Sequence, residues 1–278
     1  MLNNYYSQQN NKTICKKLIT NSSVITGSIA TQFPLYYLWY KDYQTSSFNF
    51  FNDSKEWGYM DKMGHAFTAY HLSDKLFNLY QWAGYSHKQS LAISSSISFL
   101  YQFNIEIMDG YSSGWGFSCA DLIANSIGIG LNAFQHATDK DLIIKPKFSY
   151  SPTLLATMRP QILGSNHVSR ILKDYNGQTY WLSINANSII KHCPKWLLFS
   201  IGYSINDRLV GTSSYFEFED RHFESYAQYF LSLDIDLEAI HTKNKFLKSV
   251  YKAFNLIKIP MPSLTLEKNK IKLLPIYF

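Results

Sequence analysis

The chain predicts an α+β fold, with an N-terminal helical bundle over residues 18–145 and a β-rich antiparallel module over 146–278. Residues 1–17 read as a disordered tail. Three observations carry this. Short polar clusters recur at helical spacing inside apolar segments up to about Gln135. The composition changes after about Lys145. Beyond that point apolar and polar residues alternate with a period of two, the pattern of a half-buried antiparallel strand.

The elements follow in order. Lys16-Lys17 precede the apolar stretch Leu18–Tyr40, which is diluted by Thr20, Asn21, Ser22, Ser23 and Thr26. Three readings stay open for it: an uncleaved membrane-associated helix, a degenerate signal peptide or a core helix. Cys15 precedes this stretch instead of ending it, which is not the placement of a lipid-attachment cysteine. Asp61 is the expected N-cap of a helix running from Lys62 to about Trp82 and ending near Gly84. A second helix is expected over Ser86–Met108 with a serine-lined apolar run, and a loop over Gly110–Gly116. Ser118 should cap a third helix running to about His136, with His136 and Asp139 closing it. Helices of this length reach roughly 30 Å, the thickness of a bilayer core.

In the rear half, Tyr180–Ala186, Trp196–Ile205 and Tyr226–Leu237 alternate as strands. In the last of these, Ala227, Tyr229, Leu231, Leu233 and Ile235 share one face, opposite Gln228, Ser232, Asp234 and Asp236. An amphipathic helix is expected over about Glu238–Ile257, ended by Pro260 and Pro262. A hairpin should then turn across Lys268-Asn269.

Composition narrows the function. The net charge is +6, but its basic residues are scattered, and no basic stripe interleaves with stacking aromatics, so nucleic acid is excluded as a partner. Charged residues are only 17% of the chain, and Tyr (21) and Phe (19) are abundant, as suits contact with a lipid surface. Cys15, Cys119 and Cys193 form neither a disulfide framework nor a metal motif, and Cys119 reads as a small buried hydrophobe.

The chemistry-bearing residues lie in three motifs: Asp61-Lys62-x-x-His65, Glu106-x-x-Asp109-Gly110 and Gly116-Phe117-Ser118-x-x-Asp121-x-x-x-Asn125. Each sets its polar groups one turn apart on a helix face. Unpaired buried charge is costly, so the three stripes are expected to face one another. His65 with Glu106, Asp109 and Asp121 could hold a divalent metal, since imidazole and carboxylates suit such ions. The same residues could form an acid–base catalytic site, with His65 as general base oriented by Asp61 or Glu106. Asp61, Lys62, His65, Glu106, Asp109, Ser118, Asp121 and Asn125 could alternatively bind a polar ligand or lipid headgroup. The blander reading is a self-satisfied ion network, since buried polar groups are usually paired.

This motif string, with Gly114-Trp115 before Gly116 and Gly128 after Asn125, resembles the YfiM-like family, described as periplasmic lipoproteins of unknown function. More distantly it is similar to VanZ-like membrane proteins, which carry an Asp-Lys-x-x-His helix, an acidic helix and a Ser-x-x-Asp-x-x-x-Asn helix. The resemblance covers roughly Trp57–Gln135. Phe50-Phe51-Asn52-Asp53 before it and Asp174–Ser183 after it look like a longer form found in Bacteroidetes-type bacteria. It implies a helical, VanZ-like bundle and a cell-envelope location facing the periplasm at the inner or outer membrane. Lipid, or an envelope protein, would be the partner. It implies no chemistry.

Overall fold

A computed structural model describes residues 2–138 and 144–278. The chain is mixed α+β: a helical region comes first and a six-stranded antiparallel sheet follows. It divides into two compact units. A helical unit comprises Met1–Asn52 and Thr68–Thr138, and a sheet unit comprises Asp53–Phe67 and Asp139–Phe278.

The helical unit holds α1 (Leu2–Trp39), most of α2 (Met60–Trp82), α3 (His87–Gly110) and α4 (Cys119–Ala137). Since α1 starts at Leu2, it includes most of the stretch expected as a tail. The helix starts are set by side chains. Ser86 and Gln89 form a reciprocal capping box at α3, and the Ser118 hydroxyl accepts from the Asp121 amide at α4. Asp61 is not the cap of α2; it lies inside the first turn, which opens at Met60. The serine run of α3 faces inward: Ser90, Ser94, Ser98, Gln102 and Glu106 recur every four residues and are all buried. On α4, Asp121, Asn125, Asn132 and Gln135 are buried while Ile123, Ile127 and Phe134 are exposed. Cys119, expected inside, is exposed. No described helix is long and apolar enough to cross a membrane, despite lengths of 19 to 38 residues. On α3 and α4 the inward polar stripes lower the hydropathy.

The sheet unit runs β1 (Ile144–Tyr150), three short helices α5 (Leu155–Met158), α6 (Pro160–Leu163) and α7 (His167–Lys173), then β2 (Gln178–Asn185). After the short α8 (Ala186–Ile189) come β3 (Leu197–Asn206), a hairpin of β4 (Tyr215–Phe218) and β5 (Arg221–Glu224), and β6 (Tyr226–Ile235). Helix α9 (Lys245–Phe254), β7 (Met261–Glu267) and β8 (Lys270–Tyr277) complete it. Helix α9 is shorter than expected because Asn244 caps it, accepting from the amides of Phe246 and Leu247. Lys268 and Asn269 both take positive φ, the geometry of a tight hairpin turn.

Strand order is β1-β2-β3-β6-β7-β8, antiparallel throughout. The sheet curls, because Tyr277 of β8 hydrogen-bonds Thr179 of β2 (2.9 Å) and stacks on Phe230 of β6 (4.4 Å between ring centroids). Its sidedness is the reverse of what hydrophobicity alone would favour. Leu182, Ile201, Leu231, Leu264 and Leu273 lie in register across five adjacent strands, and their exposures are 44, 55, 53, 44 and 68%. One residue along each of the first four strands, Ser183, Ser200, Ser232 and Ser263 are at most 5% exposed. The alternation is real, but the polar side is the inside.

That interior is ordered by charge. Lys147 and Asp234, both fully buried, pair at 2.8 Å. Ser183 bridges Ser200 (2.7 Å) and Asp234 (3.3 Å), and Ser263 donates to Ser232 (2.9 Å). A conventional apolar cluster sits elsewhere in the unit, around Trp57, Met60, Leu155, Leu163, Ile205 and Leu209.

Candidate polar clusters

The motif residues are divided between the units: Asp61, Lys62 and His65 in the sheet unit; Glu106, Asp109, Ser118, Asp121 and Asn125 in the helical unit.

In the sheet unit, the first turns of α2 follow a tight 3-10 turn, Glu56–Tyr59, in which Trp57 and Tyr59 take positive φ. The turn is held by Trp57 N–H donating to Gly211 O (3.0 Å) and Tyr203 O–H donating to Gly58 O (2.6 Å). It presents Lys62 between two carboxylates, Asp53 and Asp61, each 2.7 Å away. Tyr175 donates to the other oxygen of Asp61 (2.9 Å), and His65 Nε2 stands 3.9 Å from that oxygen. Burial alone would raise the Asp61 carboxyl. The adjacent His65 and Lys62, with the Tyr175 hydroxyl, outweigh it and hold the group below the usual carboxylate range. Asp61 and His65 present a carboxylate oxygen and a ring nitrogen to one region, so both could ligate a cation. Asp53 and Tyr175 were not singled out as site residues by the sequence. The Phe-Phe-Asn-Asp string before the motif was the available signal for Asp53.

In the helical unit, Glu106 is fully buried and accepts from the Ser118 amide (3.2 Å), so the acidic motif orients the N-cap of the third. One turn earlier, Gln102 donates to Asn125 (3.0 Å). Asp109 accepts from the Tyr40 hydroxyl (2.8 Å). The phenol is pushed far up by burial, then by the Asp109 charge and hydrogen bond and by Glu106. Gly110 is needed for close approach: a Cβ there would stand 2.4 Å from the Phe48 ring. The segment before the motifs thus lies on the loop between α3 and α4, with bridges Thr45–Ser112 and Phe50–Phe117.

A further ionic contact of the helical unit lies on α2, at Asp74. Asp74 is buried, with His136 Nε2 at 3.4 Å and Lys75 Nζ at 3.2 Å. Asp139 lies outside the described residues. Burial would raise the Asp74 carboxyl, but His136 and Lys75 prevail and hold it at about 2, against an ordinary 3.8. A depressed carboxylate contributes stability that is full above its unfolded value and lost as pH falls through the folded one. The gap corresponds to about 2 kcal/mol. Asp74→Asn should therefore cost about that much at pH 7 and almost nothing near pH 2. Thermal melts across this range check it, and an equal cost at both ends would refute it.

Fold and clusters define an α+β protein whose two units each enclose hydrogen-bonded ionic and amide groups. Residues 49–137, which span all three motifs, match a family model described as "Predicted periplasmic lipoprotein (DUF2279)". The match supports an envelope-associated protein of unknown function. No curated protein and no solved structure matches the chain.

Proposed function

We propose that the protein is a membrane-associated component of the cell envelope, with a structural or lipid-binding role. The observation that carries this reading is the reversed polarity of the sheet, with serines inside and leucines outside. A water-facing sheet gains by burying its aliphatic side, at about 1.5–3 kcal/mol for each fully buried side chain. Contiguous exposed apolar area marks a contact with lipid or protein. The helical unit adds Leu18, Ile25, Ile29 and Phe33 exposed on α1. Within this reading the motif residues are the polar framework of each unit. Asp61, Lys62 and His65 are the groups to meet a polar ligand such as a headgroup, and a divalent cation is the alternative.

Fractionation tests the reading. The protein should sediment with membranes, resist high salt and be released by detergent. Recovery as a detergent-free soluble protein would overturn it.

A further inference from the structure

Helix α9 is amphipathic, yet the sheet unit leaves part of its apolar side uncovered. At about 100° per residue, Phe246, Leu247, Val250, Tyr251 and Phe254 share one side of the helix and Lys245, Lys248 and Lys252 the other. A helix packed fully on its unit would enclose the apolar side. Here no residue of α9 is buried. Leu247, Val250 and Tyr251 are half-buried, while Phe246 and Phe254 stand 77 and 55% exposed. The helix is nonetheless fixed at both ends. Asn244 caps its start, and Asn255 at its end donates to Asp236 (3.0 Å) and accepts from the Leu237 amide (2.9 Å). The Asp236 amide donates to Trp196 O (2.7 Å), which sets Trp196, 43% exposed, at the same end of the unit. Charge there is one-sided. No acidic residue lies between Glu238 and Glu267, and among the described residues Lys243, Lys245, Lys248 and Lys252 pair with no carboxylate. Lys191 and Lys195, just before Trp196, carry the same sign. Asp236 is already neutralised by Lys145 (2.7 Å), so the exposed Glu238 alone stands against these lysines among the described residues.

We propose that α9 lies in the plane of an anionic bilayer surface. Phe246 and Phe254 enter the boundary between headgroups and acyl chains, and Lys243, Lys245, Lys248 and Lys252 lie among the lipid phosphates. This rests on the membrane association proposed above. It adds a second surface, apart from the leucine face of the sheet, and the class of lipid that this surface selects. Three features favour anionic lipid as the occupant. A helix with aromatic residues on one side and lysines on the other is the form that lies in an interface. Each lysine brought near an anionic surface adds about fivefold to the partition, the equivalent of about 1 kcal/mol. The two exposed phenylalanines are eight residues apart, roughly 12 Å along the axis, so they suit a broad apolar layer better than a single protein pocket. Trp196, at the same end, is a residue type favoured at headgroup level.

Vesicle binding by the full chain tests this. Cosedimentation is measured with vesicles of phosphatidylcholine alone and of phosphatidylcholine mixed with phosphatidylglycerol. The unaltered protein is compared with Lys243→Gln/Lys245→Gln/Lys248→Gln/Lys252→Gln and with Phe246→Ser/Phe254→Ser. All six side chains are exposed, so both variants should melt where the unaltered protein does. The unaltered protein should bind the anionic vesicles at least about tenfold more tightly than the neutral ones. Raising the salt concentration should narrow that gap. The glutamine variant should lose the preference and keep the unaltered affinity for neutral vesicles. The serine variant should bind both kinds more weakly. If the unaltered protein binds both vesicles alike, or the glutamine variant keeps the preference, the inference falls and membrane association stands through another surface. Unchanged binding by the serine variant also overturns it, because the helix would not be entering the bilayer. Binding to neither vesicle overturns both readings.

Discussion

Asp234→Asn is expected to destabilise the sheet unit by about 3–5 kcal/mol, the cost of breaking a fully buried ion pair from one side. Asp234 is a hub. It pairs with Lys147 at 2.8 Å, accepts from Ser183 (3.3 Å), and takes the amides of Ile235 (2.7 Å) and Ile259 (3.0 Å). A second buried lysine, Lys258, has no carboxylate in contact among the described residues. Its ammonium donates to Leu233 O (3.0 Å) and Ile259 O (3.1 Å) and lies 4.6 Å from the centre of the Trp181 ring. Burial lowers Lys258 to about 8, with the Asp234 charge opposing that fall and Lys147 adding to it. Neutralising Asp234 leaves two enclosed ammonium groups without their shared carboxylate, with Asp236 the remaining anion acting on Lys147. Urea or thermal unfolding measures the loss. Adding Lys147→Met to Asp234→Asn should restore part of the stability, because one stranded charge is removed. A single-mutant loss below about 1 kcal/mol would show that the interior is wetter than its burial indicates.

This interior is also where sequence reading met its limit. Period-two alternation assigns side chains to two faces but is silent on which face is enclosed, since that depends on what else packs there. Hydrophobicity alone would favour Leu231 inside and Ser232 outside, and the fold does the reverse because Ser232, Asp234 and Lys147 find their partners within the sheet unit. Strand β1 carries no clear apolar alternation, because Pro146 and Lys147 interrupt it, and it is the buried pair with Asp234 that turns this lysine inward. The helix starts were legible because they carry local chemistry, Ser86 at α3 and Ser118 at α4, and the last hairpin was legible from its Lys268-Asn269 turn. The motifs were legible as polar stripes, and Glu106, Asp121 and Asn125 are buried as such stripes require. Partner identity was not. Lys62 is held by Asp53 from before the helix, a non-local choice that no helical spacing encodes.

Trp181→Ala should cost about 3–5 kcal/mol, the range for emptying a buried tryptophan site. The ring is 1% exposed and lies over Gly202, where a Cβ would come within 2.6 Å of it; no other residue leaves that space. Its Nε1 donates to Ser149 Oγ (2.9 Å), and its ring packs with Phe230 (5.5 Å) and Tyr277 (6.0 Å) between centroids. It is also the π-face under the Lys258 ammonium. Loss of the ring therefore removes apolar volume, strands a hydroxyl and uncovers a cation together. Because Lys258 is shared, the Trp181→Ala and Asp234→Asn losses should not add, and a double-mutant cycle should show coupling of at least about 0.5 kcal/mol. Leu231→Ala supplies the contrast. In an ordinary sheet the leucine would be the costly residue to truncate, at about 2–5 kcal/mol. Here it projects outward at 53% exposure, so its removal should shift detergent-free stability by no more than about 0.5 kcal/mol. Equilibrium unfolding of both variants decides the sidedness of the sheet: a large loss for Leu231→Ala with a small one for Trp181→Ala would mean that the leucines, not the tryptophan, are the enclosed face.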